Sequence, residues 1–184
     1  MKRTEYCGKF GEQHRGTRQQ AAGWVQNKRD MGGVIFLDLK DREGVLQVVC
    51  DASELGGDFA LAEAVRLQSV VAVEGFVRRR SEETYNPAIA TGTVELLASQ
   101  IEVLSEAGHL PFLMEEGAAV REDLRLKYRY LDLRQPRMYH NLRFRYEVQR
   151  AAEDYLDAHG FLAVETPMLT KSTPEGARDY LVPS

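Results

Sequence analysis

The stretch Val34-Ile35-Phe36-Leu37-Asp38-Leu39, the turn Asp41-Arg42-Glu43-Gly44 and the return Val45-Leu46-Gln47-Val48-Val49-Cys50 decide the fold. Two β-prone runs are joined here by a short Asp- and Gly-bearing connection, which reads as adjacent strands. Upstream, Ala22-Gly23-Trp24-Val25-Gln26 is a third β-prone run. It is separated by Arg29-Asp30-Met31-Gly32-Gly33, a turn signal whose glycines are free to take positive φ. Downstream, Ser53 is a plausible N-cap, and Leu55, Phe59, Ala62, Val65 and Leu67 fall roughly on one helical face. Residues 70–80 read as a fourth strand, 81–92 as a loop carrying Asn86-Pro87, and 93–104 as a fifth strand. Five strands with a helix between the third and fourth is the order of an OB-fold β-barrel, expected over residues 1–106.

Beyond the barrel the pattern changes. Residues 107–120, with Pro111, read as a linker or hinge. Residues 121–134 are charged and helical. Pro136 ends that run and suits the first turn of the next helix, an amphipathic one over 141–159 that stops at Gly160. Residues 161–169 are extended but contain Pro167, which predicts an edge or interface strand. Residues 172–180 form a polar loop. The segment 121–184 is thus expected to be an α+β portion of a second domain.

The 184 residues exceed the needs of one small barrel, and a 43% hydrophobic fraction allows a real core. The net charge of −4 argues against binding driven by sequence-independent phosphate contacts. Any nucleic acid must be held by local basic patches and by reading of base edges. Cys7 and Cys50 match no zinc pattern and suggest reduced thiols and a cytosolic location. The N-terminus lacks the apolar run of a signal peptide, and no stretch is long enough to span a bilayer.

Several barrel residues have chemistry suited to a single strand of RNA. Phe36 offers a stacking platform, although it can equally be a core residue. Gln47 combines a donor and an acceptor, as a Watson–Crick edge requires. Arg78, Arg79 and Arg80 can hold phosphates, or can simply be a solvated strand end. Glu95 can accept from the N–H groups of guanine.

The run from Gly160 through Leu169 after a long helix resembles motif 1 of the class II aminoacyl-tRNA synthetases. The loop Ser172-Thr173-Pro174-Glu175-Gly176-Ala177-Arg178-Asp179-Tyr180-Leu181-Val182-Pro183-Ser184 resembles the mobile flipping loop of the aspartyl-tRNA synthetases. Leu126-Lys127-Tyr128-Arg129-Tyr130-Leu131-Asp132-Leu133-Arg134 is similar to the hinge and leading helix of that family. Arg3-Thr4-Glu5-Tyr6-Cys7-Gly8, Gly23-Trp24-Val25 and residues 35–44 extend the resemblance to the barrel and to the bacterial type.

The resemblance implies an aspartate–tRNA ligase that works with ATP and Mg²⁺ through aspartyl-adenylate. It implies that Phe36 stacks on the middle anticodon base and Gln47 bonds to it, that Arg29 contacts the third base, and that Glu95 reads the first. Arg78 and Arg80 would support the RNA backbone or neighbouring bases, and Glu175 would hold the ammonium group of aspartate. Glu175 can also be an exposed loop carboxylate. Pro167 would lie at the interface of a homodimer. Val49 departs from the pattern, standing where many relatives have a second aromatic. Family members that also charge the asparagine tRNA have His and Gly where this chain has Met31 and Glu83, which implies an enzyme restricted to the aspartate tRNA. Motifs 2 and 3, which handle ATP, do not occur in these residues, so the isolated chain is expected to make no adenylate. A non-catalytic tRNA-binding barrel, or a class II enzyme for asparagine or lysine, remains an alternative.

Overall fold

Consecutive side chains of an extended strand point to opposite faces, and that alternation sets the inside of the barrel. In β1 (Arg18–Asp30), Ala21, Gly23 and Val25 are buried while Ala22, Trp24 and Gln26 are half-exposed. In β2 (Val34–Lys40), Ile35, Leu37 and Leu39 are buried and Val34, Phe36, Asp38 and Lys40 face outward. β3 (Val45–Asp51), β4 (Val70–Arg79) and β5 (Val94–Ser105) complete the sheet. Leu46, Val48, Cys50, Val71, Val73, Val77, Val94 and Leu96 join the buried residues of β1 and β2 in one hydrophobic core. This computed structural model describes residues 2–112, 119–169 and 171.

The strands close into a barrel in the order β1-β2-β3-β5-β4, with β4 returning to β1. All neighbours are antiparallel except β3 and β5, which pair in parallel at Val48 with Leu96 and Val49 with Leu97. This is the expected five-stranded OB-fold.

Three local expectations need correction. β1 spans 13 residues, well beyond 22–26, because it serves two neighbours. Its first half pairs with β4 and its second half with β2, and a register shift between Val25 and Asn27 bends it from one to the other. The single helix after β3 is instead two short ones, α1 (Ala52–Leu55) and α2 (Phe59–Ala64), parted at Gly56, whose φ is +53°. The N-cap is Asp51, whose carboxylate accepts from the Ser53 N–H at 2.9 Å. Gly32 and Gly33 do take positive φ, at +71° and +85°.

A buried carboxylate fastens the N-terminal segment. Asp41 Oδ2 accepts from the Cys7 N–H at 2.7 Å, while Oδ1 accepts from Glu43 and Gly44. Burial pushes the Cys50 thiol up to about 12 and raises Cys7 as well, so both stay protonated and unreactive.

The chain divides into two units, Met1–Leu110 and Pro111–Ser184. The expected linker over 107–120 straddles that division, and its residues 113–118 lie outside the described ones. In the second unit, α3 (Glu122–Lys127) and α4 (Arg129–Asp132) replace the continuous helix expected over 121–134. Asp132 joins them: Arg125 Nε donates to it at 2.7 Å, Gln135 Nε2 donates at 2.9 Å, and Arg129 pairs with its second oxygen. The Arg125 bond holds the Asp132 carboxyl below the usual range, outweighing burial. α5 (Pro136–Ala158) starts five residues before the expected helix, with Pro136 in its first turn as expected, and Gly160 follows it at a φ of +83°. Residues 161–169 form no strand, contrary to expectation. An edge strand exists only through pairing with another backbone, and none of the described residues pairs with them.

Two outcomes are expected. A Cβ at Gly75 would lie 2.0 Å from the Leu97 carbonyl oxygen at the β4–β5 irregularity. Gly75→Ala should therefore cost roughly 1–3 kcal/mol in urea unfolding followed by Trp24 fluorescence, and an unchanged midpoint would contradict this. The folded Asp132 binds fewer protons than an unfolded one near its ordinary pKa of about 3.9. Its contribution is thus full above about pH 4 and lost as pH falls through the lower folded value. Hydrogen exchange over residues 122–135 should show this acid-side loosening, and Asp132→Asn should remove the step.

Candidate nucleic-acid interface

The outer face of the barrel gathers the polar residues that the core excludes. Arg29 on β1 stands opposite Phe36 on β2, which in turn stands opposite Val49 on β3. Gln47 lies two residues from Val49 and therefore on the same face. Arg78 on β4 stands opposite Glu95 on β5. The parallel pairing one residue further on brings Gln47 beside Glu95.

The result is one open cavity of about 690 Å³ lined by Arg29, Phe36, Gln47, Arg78, Arg80 and Glu95, together with residues of the loop after β4. The six residues for which the resemblance implies an anticodon role converge there, and Arg79 joins them. Phe36 is half-buried on the outer face and lies outside the hydrophobic core, with the Arg29 guanidinium 5.5 Å from its ring centre. Arg29 Nη2 donates to Gln47 Oε1 at 3.2 Å, and Gln47 Nε2 donates to Glu95 Oε2 at 3.1 Å. Arg78 Nε donates to Glu95 Oε1 at 2.7 Å.

Exposure separates these residues into two groups. Gln47 and Glu95 are buried, and the Arg80 side chain is only 7% exposed. Arg80 Nε lies 3.9 Å from Glu95 Oε2, too long for a hydrogen bond, and Arg80 Nε and Nη1 have no hydrogen-bond partner among the described residues. The Arg78 side chain is about half exposed, at 49%, and Arg29 is exposed. A buried carboxylate is thus flanked by two guanidinium groups and an amide. Each of its oxygens has a second acceptor site for an incoming N–H. The half-buried aromatic beside it can stack on a flat ring.

Other expected residues lie elsewhere. Met31 is exposed in the β1–β2 turn, and Glu83 is exposed in a tight turn after β4, with neither lining the cavity. Pro167 is exposed in the strandless run, and Glu175 lies outside the described residues. Val49 is buried and offers no stacking face. Tyr85 and Asn86 line the cavity, yet the sequence expectations give Tyr85 no role and name Asn86 only as part of a loop. A loop residue shows no periodicity, although an aromatic in a loop beside an arginine run is the signal that was available.

Comparison with known proteins follows the same division of the chain. The OB-fold nucleic acid binding domain family matches residues 20–104, and the class II tRNA synthetase family (D, K and N) matches residues 121–184. The aspartate–tRNA ligase of Geobacillus kaustophilus is 52% identical over the whole chain. The aspartate–tRNA(Asp/Asn) ligase of Halothermothrix orenii is 51% identical over the whole chain. The chain spans 31% of the length of each. The crystal structure of asparaginyl-tRNA synthetase from Pyrococcus horikoshii complexed with asparaginyl-adenylate matches with a TM-score of 0.81 at 26% identity, covering 96% of this chain and 39% of that one. An OB-fold nucleic acid binding domain followed by a class II tRNA synthetase segment, the chain is similar along its entire length to bacterial aspartate–tRNA ligases, of which it spans 31%.

Proposed function

We propose that this chain is the anticodon-reading part, and the opening of the catalytic domain, of an aspartate–tRNA ligase. The observation that carries the reading is the convergence of Arg29, Phe36, Gln47, Arg78, Arg80 and Glu95 on one cavity. The middle anticodon base stacks on Phe36 and bonds to the Gln47 amide. The first base, a guanine or a derivative of it, uses its two N–H groups on the remaining acceptor sites of Glu95. Arg29 contacts the third base, while Arg78 and Arg80 meet the backbone or neighbouring bases. The network among Arg29, Gln47 and Glu95 holds these groups in place before the RNA arrives, which reduces the entropy lost on binding.

The whole ligase joins L-aspartate to its tRNA using ATP and Mg²⁺, through aspartyl-adenylate. The described residues contain no group of three or more His, Cys, Asp or Glu able to hold a metal ion, so no step of that chemistry is assigned to them. Glu175 takes the ammonium group of aspartate. The ligase is a cytosolic homodimer. Its interface includes Pro167 and the apolar residues of α5 and the following run, among them Phe144, Val148, Leu162 and Val164, which are exposed here. Residues 1–106 form the anticodon domain, 107–120 the hinge and 121–184 the first part of the catalytic domain.

Relatives of both tRNA specificities match the chain about equally well. Met31 and Glu83 favour the narrower one. Neither lines the cavity, so they act on parts of the tRNA other than the bases held there.

Two measurements test these readings. An anticodon stem-loop of the aspartate tRNA should bind the chain, and Phe36→Ala or Gln47→Ala should each weaken binding about tenfold by fluorescence titration. Wild-type affinity in both variants would leave the cavity without its assigned role. A full-length ligase carrying this chain should aspartylate the aspartate tRNA and leave the asparagine tRNA uncharged. Comparable charging of both would remove Met31 and Glu83 as discriminating residues.

A further inference from the structure

A second, smaller cavity of about 250 Å³ adjoins the first. Arg79, Arg80, Ser81 and Tyr85 line both, so they form a shared wall, and Glu82 and Thr93 complete the smaller one. Its volume is below the roughly 300 Å³ at which small-molecule sites begin, which suits a single ring system. Tyr85 is 51% exposed, so much of its ring is open to a ligand. Its backbone is nevertheless held. The turn before it is closed by Thr84 N–H to Ser81 O at 3.0 Å and Tyr85 N–H to Glu82 O at 3.4 Å. Asn86 N–H then donates to Gly92 O at 3.3 Å, so the aromatic stands at the base of a closed loop.

The buried guanidinium of Arg80 is the second observation. Arg80 N–H is tied to Thr93 O at 2.9 Å, yet among the described residues the side-chain Nε and Nη1 have no hydrogen-bond partner. Unsatisfied buried donors are costly, and charged ones more so. A ligand that brings an oxygen into this wall relieves that cost. A nucleotide supplies such an oxygen together with a flat ring for Tyr85.

We propose that the smaller cavity takes one nucleotide of the RNA loop outside the anticodon triplet, its base stacked on Tyr85 and one of its oxygens accepting from Arg80. The proposal rests on the anticodon reading above, since the strand that enters the larger cavity is the one that continues into the smaller. Tyr85 is then a second stacking platform, on the loop side of the site, where Val49 provides none on the sheet side.

The test uses the 184-residue chain and a synthetic anticodon stem-loop of the aspartate tRNA, with each loop nucleotide made abasic in turn. Tyr85→Ala should weaken binding of the intact loop about 5- to 150-fold, and Tyr85→Phe should bind nearly as the parent does. With one nucleotide outside the triplet made abasic, the difference between the parent and Tyr85→Ala should vanish, while the loss in Phe36→Ala persists. Three results overturn the proposal: parental affinity in Tyr85→Ala, a loss that persists with every abasic loop, or a loss that vanishes only when an anticodon base is removed. If Phe36→Ala is impaired and Tyr85→Ala is not, this proposal falls and the anticodon reading stands. If the parent chain does not bind the stem-loop, both fall.

Discussion

The short parallel contact between β3 and β5 is the constraint on which the rest depends. Only Val48 with Leu96 and Val49 with Leu97 pair there, yet without them the sheet would stay open. Closure seals Leu46, Val48, Val94 and Leu96 into the core on one face. On the other face, the same two pairs align the residues just before them, Gln47 and Glu95. A single register choice therefore decides both the core and the centre of the polar site. A shift of one residue would turn Gln47 and Glu95 inward and expose the apolar set.

The polar centre has an internal logic of charge. Glu95 is buried, and a buried carboxylate needs compensation. It receives Arg78 at close range, Arg80 at longer range, and the Gln47 amide. Gln47 in turn is held by Arg29, which also lies near the Phe36 ring. The chain of contacts runs across all five strands, so the side chains are oriented by a rigid sheet. Preorganisation of this kind lets a modest surface be selective without a large positive charge, as the net −4 of the chain requires.

Much of this was legible in the sequence because period-two alternation is a local signal. The runs around Phe36 and Gln47 marked the strands, and their outward residues could be picked by type. The extent of β1 was not legible, since its length comes from sharing two neighbours that are distant in sequence. The broken helix followed from Gly56 and Gly57, which the apolar periodicity of Leu55, Phe59 and Ala62 concealed. The expected strand over 161–169 requires a partner backbone, and periodicity says nothing about whether one is present. Tyr85 escaped notice because a loop aromatic acquires meaning only when folding places it beside Arg80.

The division of the site into buried and exposed residues bears on how such a surface changes over time. Glu95, Gln47 and Arg80 are embedded, so replacing one leaves the others short of a partner. Arg29, Phe36, Arg78 and Tyr85 sit at the margin and have little to do with the core. Mutation can revise the margin one position at a time while the centre is inherited unchanged. A lineage built on this barrel can therefore drift at its margin without losing the frame that carries it.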